Sequence, residues 1–483
     1  MNEENIHSIQ ITASNPKLSE LQLSWATMEF SAVDGIGPME SLYQAGDSIV
    51  AVATFGKNGM SVLGSGVMVA PGLLMTATHV LHEIRDSGAV FATFLPQLMR
   101  VWLPIETSTS SGESKYRPDE RNYSDISLVS CTLNSDAHEQ YPLMLTPMRA
   151  CLPLVGERVW AFGFRDQKIE GDITSLTSLV SSGVVCAVYP QGRGEWLPAP
   201  CIEVAMDTPG GMSGGPVVNG NGELIGIVST SYEGGGPTFV TMIWDALRLK
   251  IGVQIPPFKD LGDVTLFHVK HEGLARLEGS VRYRPWQEVV MTMTDEEHKL
   301  FIESIDPDTL ESSRADASFI LTDDQVELLI EEHGSDMEDA AQSAAIEFLE
   351  KLTHEQVIES LKVSGIDISQ IKEIKDFSVD VWEGVEDFEV LRAKHLDDGI
   401  EIDCYFDLRI TDWQISLQDS QCTSGSDLIG IEVDDNDAIH VSRRCYFRAL
   451  LTFNVSNCEF TGSNVSWWGI KPPRASKVLR PKS

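Results

Sequence analysis

The chain predicts a multidomain protein: an all-β barrel region first, then a helical segment, then an α+β or β-rich C-terminal domain. Three observations carry this. The 483 residues exceed one ordinary domain. From Gly46 to about Val253, short apolar runs alternate with Gly, Pro, Asn and Asp, the pattern of strands and tight turns in a barrel. At Thr294 the apolar residues shift to three- and four-residue spacing, and at Ile374 they return to alternation.

In chain order, residues 1–42 alternate weakly and read as a leading segment or an extra strand. Residues 43–255 form the predicted barrel domain. Within it, the polar stretch Glu106 to Tyr123 reads as a surface loop, and Met242 to Leu249 has the spacing of a closing helix. Val217-Val218 and Glu223 to Ser229, separated by Asn219-Gly-Asn-Gly222, read as a β-hairpin. Pro256-Pro-Phe marks a boundary, and residues 256–293 read as a connecting segment. Residues 294–373 form a predicted helical bundle, whose starts at Thr294 and Thr322 are followed by acids that suit N-caps and the helix dipole. Residues 374–470 alternate like half-buried antiparallel strands, and residues 471–483, basic and Pro-rich, read as a disordered tail.

Charge and composition exclude several functions. The net charge is −36, and residues 251–483 carry 46 acidic against 22 basic side chains. Nucleic-acid binding draws on Lys and Arg, so a nucleic-acid partner is not expected. No apolar run reaches the length of a membrane span, and the start, Met-Asn-Glu-Glu, lacks the basic and apolar parts of a secretion signal. The eight cysteines show no metal-ligand pairs, and several lie within apolar strand-like runs, which reads as reduced thiols in the cytoplasm. Acids cluster at Asp397, Asp398 and Glu401 and again at Asp434, Asp435 and Asp437, without the spacing of a calcium loop, so they read as surface charge. No cofactor or metal site is expected.

One stretch carries chemistry: Asp207-Thr-Pro-Gly-Gly-Met-Ser213-Gly-Gly-Pro216. A serine hydroxyl is a weak nucleophile at neutral pH and needs a rigid setting, a neighbouring base and N–H donors for the oxyanion. Gly211 lacks a Cβ, so its peptide is able to turn in beside that of Ser213. Upstream, in order, stand Thr76-Ala-Thr-His79 and Ser124-Asp125-Ile-Ser-Leu128, and Gly64 to Met75 reads as paired strands leading to the histidine. In order and frame, these three motifs resemble the trypsin-like serine peptidases. His82 and Asp119 are the nearest rivals for His79 and Asp125, and both read as exposed polar positions outside the motifs.

The resemblance implies two six-stranded barrels with the active site between them. It makes Ser213 the nucleophile, His79 the general base and later acid, Asp125 the carboxylate orienting the imidazole, and the N–H groups of Gly211 and Ser213 the oxyanion hole. Val159 to Phe164 and Ser181 to Val188 look like early second-barrel strands of bacterial members such as the HtrA-type and glutamyl endopeptidases. Ser229, Thr230 and Ser231 resemble the strand that pairs with substrate backbone. Asp207, six positions before the nucleophile, holds the place of the acidic residue that confers cleavage after Arg or Lys. Its alternative is a residue that braces the turn. Met212 stands where animal digestive members carry the aspartate that pairs with a newly cut N-terminus, so no N-terminal processing is expected. The C-terminal half resembles no known family and lacks the carboxylate loop of a PDZ module. The expected function is a serine endopeptidase acting on protein or peptide substrates, with the acidic half docking substrate or a regulatory partner. The alternatives are a catalytically silent binding scaffold on the same fold and, more weakly, an esterase.

Overall fold

The computed structural model describes residues 23–25, 35–39 and most of 46–470, apart from 57–58, 85–87, 96–97, 115–116, 135–140, 171–172, 232–235, 256–262, 287, 309, 312–318, 364–372, 382–383, 418–430 and 434–437. The chain divides between Ile305 and Asp306 into two compact units.

In the first unit, the short apolar runs become two closed antiparallel barrels. Strands β1 (Val50–Gly56), β2 (Gly59–Ala70), β3 (Leu73–Thr76), β4 (Ala89–Leu95), β5 (Leu98–Ser114) and β6 (Arg117–Leu133) close in the order β1-β2-β3-β6-β5-β4. Strands β7 (Arg158–Glu170), β8 (Ile173–Tyr189), β9 (Cys201–Val204), β10 (Pro216–Val218), β11 (Leu224–Ser231) and β12 (Thr238–Met242) form the second ring, which the β10–β11 pairing closes. Closure removes the unpaired strand edges that an open sheet would expose. Alternate residues then fill the interiors, among them Trp102, Phe91 and Leu128 in the first barrel and Val204, Val217 and Val240 in the second. Within 106–123, expected as a loop, the described residues 106–114 and 117–123 instead continue β5 and β6, with Ser111 opposite Tyr123. Polar residues are compatible with paired strands, because the ladder bonds join backbone groups, so polarity alone does not mark a loop. The helix expected over 242–249 shrinks to a 3₁₀ turn at Ala246–Arg248, because Met242 is still paired in β12 opposite Gly226.

The segment expected as a connection, 256–293, is part of this unit over its described residues. Asp263–Val264 pairs with Ile251–Gly252, α2 (Leu266–His271) follows, and Leu277–Glu278 pairs in parallel with Met148–Arg149. Val264, Leu266, Val269, Leu274 and Leu277 are buried in the first core, which is why the segment is not a free linker. The short helix α1 (Thr78–Glu83) lies between β3 and β4. At the front of the chain, Leu23–Trp25 pairs with Leu143–Leu145, and Gly35–Pro38 pairs with Leu179 to Ser182 of β8.

The expected helical region 294–373 divides. Helix α3 (Asp295–Ser304) belongs to the first unit: Leu300 and Phe301 pack on the second barrel core, and its Glu297 accepts a hydrogen bond from the Leu152 N–H at 3.0 Å. Helices α4 (Asp323–Glu350) and α5 (His354–Val363) belong to the second unit. There, Leu329, Met337, Ala341, Ala345 and Leu349 of α4 form one stripe that packs on an antiparallel sheet. Its strands are β13 (Ile374–Val381), β14 (Val385–Leu396), β15 (Gly399–Leu417), β16 (Ile431–Val433), β17 (Ala438–Asn454) and β18 (Glu459–Ile470), with β15 and β17 central. The helix-facing residues Ile402, Cys404, Phe406, Phe447 and Ala449 are buried. On alternate positions, Arg448 bonds Asp403 through two nitrogens at 2.6 and 2.9 Å. This unit is α+β. The tail 471–483 and the acids at 434, 435 and 437 lie outside the described residues. Among the described residues, no helix is long and apolar enough to cross a membrane.

Candidate active site

His79 enters the site from the first turn of α1, where Val80 is buried in the first barrel core and holds the helix down. Thr78 ties that helix to β6 on either side of Asp125: its Oγ1 donates to the Ser124 carbonyl at 2.7 Å and lies 2.8 Å from Ser127 Oγ. The result is a close pair. His79 Nδ1 lies 2.9 Å and 3.0 Å from the two Asp125 oxygens, and the His79 backbone N–H donates to Asp125 Oδ1 at 3.1 Å. A carboxylate only accepts, so Nδ1 carries the proton and Nε2 keeps a free lone pair. Burial pulls the imidazole pKa down, but the hydrogen bond and charge of Asp125, with a contribution from Glu83, outweigh it and hold His79 above its ordinary value.

Ser229 completes the carboxylate's shell. Its Oγ donates to Asp125 Oδ2, a hydrogen bond across the two barrels. The sequence placed Ser229 on the substrate strand, and the structure adds this second role. His82 is exposed on α1, and the side chain of Asp119 lies outside the described residues.

Ser213 stands in the turn before β10. Its Oγ lies 3.4 Å from the Ser229 carbonyl oxygen, to which it donates, so the hydroxyl is aimed at β11 and not at the imidazole. The turn around it is tightly defined. Met212 N–H donates to Pro209 O at 3.2 Å, Gly214 N–H to Val228 O at 2.7 Å and Gly215 N–H to Met212 O at 2.9 Å. The N–H groups of Gly211 and Ser213 have no partner among the described residues. Two unsatisfied amides flanking one serine are the donors an oxyanion needs. Gly211 has φ +92° and Gly214 φ +80°, conformations that favour glycine, and a Cβ on Gly214 would collide with Ser65 O and Thr76 Oγ1.

Ser65, in Gly64-Ser-Gly66, was read only as part of the frame before His79. It is fully buried, and all its polar groups are used. Its N–H donates to Ser213 O at 2.8 Å, its Oγ donates to Gly211 O at 2.8 Å and accepts from Phe164 N–H at 3.0 Å, and its carbonyl accepts from Thr76 Oγ1 at 2.6 Å.

Residues 64–227 match the family model described as trypsin-like peptidase domain. The first unit carries a trypsin-like peptidase domain. Among solved structures, human heparin binding protein is similar at 16% identity over 44% of this chain and 92% of that one, with a TM-score of 0.31. The MamO protease domain from Magnetospirillum magneticum is similar at 19% identity over 41% of this chain and 92% of that one, with a TM-score of 0.29. No curated protein matches the chain.

Two expectations about the trypsin-like domain meet the structure at its second barrel. Asp207 is exposed, so its carboxylate does not form the buried floor of a pocket; burial is what would give it strength toward a cationic side chain. Beside it lie the buried hydroxyls of Thr208 and Thr238 and the half-buried one of Ser231. Thr208 Oγ1 lies 2.8 Å from Thr238 Oγ1, Thr238 Oγ1 donates to Met206 O at 2.9 Å, and Ser231 Oγ donates to Thr208 O at 2.9 Å. Met212 is fully buried in the second barrel core, so the loop of the trypsin-like domain is braced by apolar packing at that position. Thr230 is exposed, and along β11 the pairing with β10 ends at Ile227, so beyond Val228 the edge facing away from β12 has no strand partner among the described residues.

Proposed function

We propose that the trypsin-like domain is a serine endopeptidase that hydrolyses peptide bonds through an acyl-enzyme. The observation that carries this is the Nδ1 pairing of His79 with Asp125, which leaves Nε2 as the base, together with the Ser213 turn, whose Gly211 and Ser213 amides have no partner among the described residues. Ser213 Oγ rotates between staggered wells from the Ser229 carbonyl toward His79 and attacks the scissile carbonyl carbon. Its proton passes to Nε2, and the oxyanion takes the N–H groups of Gly211 and Ser213. As the C–N bond breaks, Nε2 gives that proton to the leaving amine, and Asp125 offsets the imidazolium charge. Water, deprotonated by Nε2, then releases the acyl group from Ser213. The open edge at Ser229 to Ser231 pairs with the substrate backbone. The hydroxyls of Thr208, Thr238 and Ser231 favour small, uncharged side chains before the cut over Arg or Lys.

The second unit is read as the part that docks substrate or a regulatory protein; its own core, separate from those of the barrels, supports a separate role. Residence in a reducing compartment, the cytoplasm, fits the seven described cysteines, all free thiols. The testing experiment is fluorophosphonate labelling of the full chain beside Ser213→Ala and His79→Ala, with hydrolysis of a fluorogenic protein in parallel. Labelling and hydrolysis confined to the wild type support the reading. Labelling that survives Ser213→Ala, or hydrolysis that survives both variants, would sink it. If residues 46–305 alone hydrolysed the target as fast as the full chain, the docking role of the second unit would be discarded.

A further inference from the structure

We propose that Ser65 is a positioning residue that sets the oxyanion donors, a role that rests on the serine-peptidase reading. Ser65 belongs to β2 of the first barrel, whereas the nucleophile turn belongs to the second. It spans the gap with two bonds to alternate carbonyls of that turn, Oγ to Gly211 O and N–H to Ser213 O, each 2.8 Å. The intervening Met212 carbonyl is taken by the Gly215 N–H at 2.9 Å. All three carbonyls from 211 to 213 are therefore held away from the cleft. In a trans peptide the N–H points opposite to the preceding C=O, so fixing the Met212 carbonyl directs the Ser213 N–H inward.

Gly211 is held less firmly. It follows Gly210, and two adjacent glycines rotate their shared peptide at little cost, a motion that would carry the Gly211 N–H out of the hole. The Gly211 carbonyl belongs to the next peptide, Gly211–Met212, and the bond it accepts from Ser65 Oγ pins that peptide and with it the Gly211 Cα from which the N–H projects. Phe164 N–H donates to the same oxygen at 3.0 Å, so the hydroxyl hydrogen is directed to Gly211. Removing the hydroxyl leaves both the Gly211 carbonyl and the Phe164 N–H without their partner in a dry site. Rotation about Gly211, which repositions its carbonyl and its N–H together, is the simplest relief. Ser65 thus acts on the transition state, where the oxyanion forms, and has no contact with the substrate's ground state.

The experiment uses the full chain, with Ser65→Ala as the main variant and Ser65→Cys, which keeps the volume and a weak donor, as the second. Active sites are counted by the fluorophosphonate bound at Ser213, and kcat and KM for a fluorogenic peptide are expressed per counted site. Inhibition by a peptide aldehyde, whose adduct presents an oxyanion, is measured beside them. A merely structural role lowers the number of sites and leaves each site's kcat intact. The expected result is a kcat per site lower by roughly 10- to 100-fold in Ser65→Ala, below the full loss of one oxyanion donor. KM stays nearly constant, the aldehyde Ki rises by the same factor as kcat falls, and Ser65→Cys lies between. A kcat per site within about twofold of wild type in Ser65→Ala, or in Ser65→Cys should the alanine variant not fold, overturns the proposal and leaves the peptidase intact. A wild type that neither labels at Ser213 nor hydrolyses peptide overturns the peptidase reading and this inference with it.

Discussion

Replacing Asp125 by Asn tests the geometry most directly, because it changes one atom of a carboxylate that accepts from three groups. Oδ1 takes the His79 backbone N–H at 3.1 Å, the imidazole Nδ1 sits about equally near both oxygens, and Ser229 Oγ donates to Oδ2. An amide has one accepting oxygen and one donating nitrogen. If the oxygen replaces Oδ1, the NH₂ faces Ser229, whose hydroxyl must turn round. If the NH₂ faces Nδ1, it forces the proton onto Nε2, which then has no lone pair for Ser213. The imidazolium formed during attack also loses its countercharge. The same exchange in a related triad costs about 10⁴ in kcat, or about 5 kcal/mol.

The pH dependence gives a second reading of the same variant. Only neutral His79 acts as a base, so kcat/KM is lost as pH falls through its pKa. Asp125 holds that pKa above the ordinary 6.5 against the opposing effect of burial. The acid limb of the wild type therefore lies above pH 6.5, and in Asp125→Asn, with burial left and the charge gone, it moves to lower pH. Initial rates on a fluorogenic peptide from pH 5 to 9 measure both effects. A loss below tenfold, or an acid limb that stays in place, would refute the assignment of Asp125.

Three further outcomes are expected. Asp207→Ser leaves cleavage preference unchanged in a peptide library, because the carboxylate is exposed; a loss of cleavage after Arg or Lys would show that Asp207 reads the substrate. Gly214→Ala abolishes labelling of Ser213, since the residue has φ +80° and its Cβ would meet Ser65 O and Thr76 Oγ1; labelling at the wild-type rate would contradict the tight turn. Asp47→Asn lowers the first unit's melting temperature: Asp47 and Arg100 form an ion pair with both side chains fully buried, so the variant leaves an uncompensated guanidinium at a cost of about 3–5 kcal/mol. That is on the order of 10 °C by calorimetry for a unit of this size, and a shift below about 2 °C would mean the pair carries no net stability.

The site's residue types were legible because its chemistry is local. A nucleophile needs glycines that permit φ +92° at Gly211 and φ +80° at Gly214, and those glycines stand beside it in the chain. His79 likewise sits at the start of a helix whose frame, Thr76-Ala-Thr, is contiguous. Alternation made the barrel strands readable, since the two faces of a strand meet different environments. Where apolar alternation is missing, the signal failed: the polar residues 106–114 and 117–123 proved to be paired strands, and 242–249 ended in a 3₁₀ turn because its first residue was claimed by β12.

The sequence by itself determined the all-β first region, the order His79, Asp125, Ser213 and the glycine turn, because each depends on residues within a few positions of one another. Only the tertiary structure decided how those pieces are held. Ser229 donates to Asp125 across 104 residues of chain, and Ser65 bonds Gly211 across 146. It also decided that 263–293 packs as core and not as linker, and that α3 belongs with the barrels while α4 and α5 cover the second sheet. A hydrogen bond or buried contact between distant segments leaves no periodicity in either one, so its partner becomes known only when the chain has closed around it.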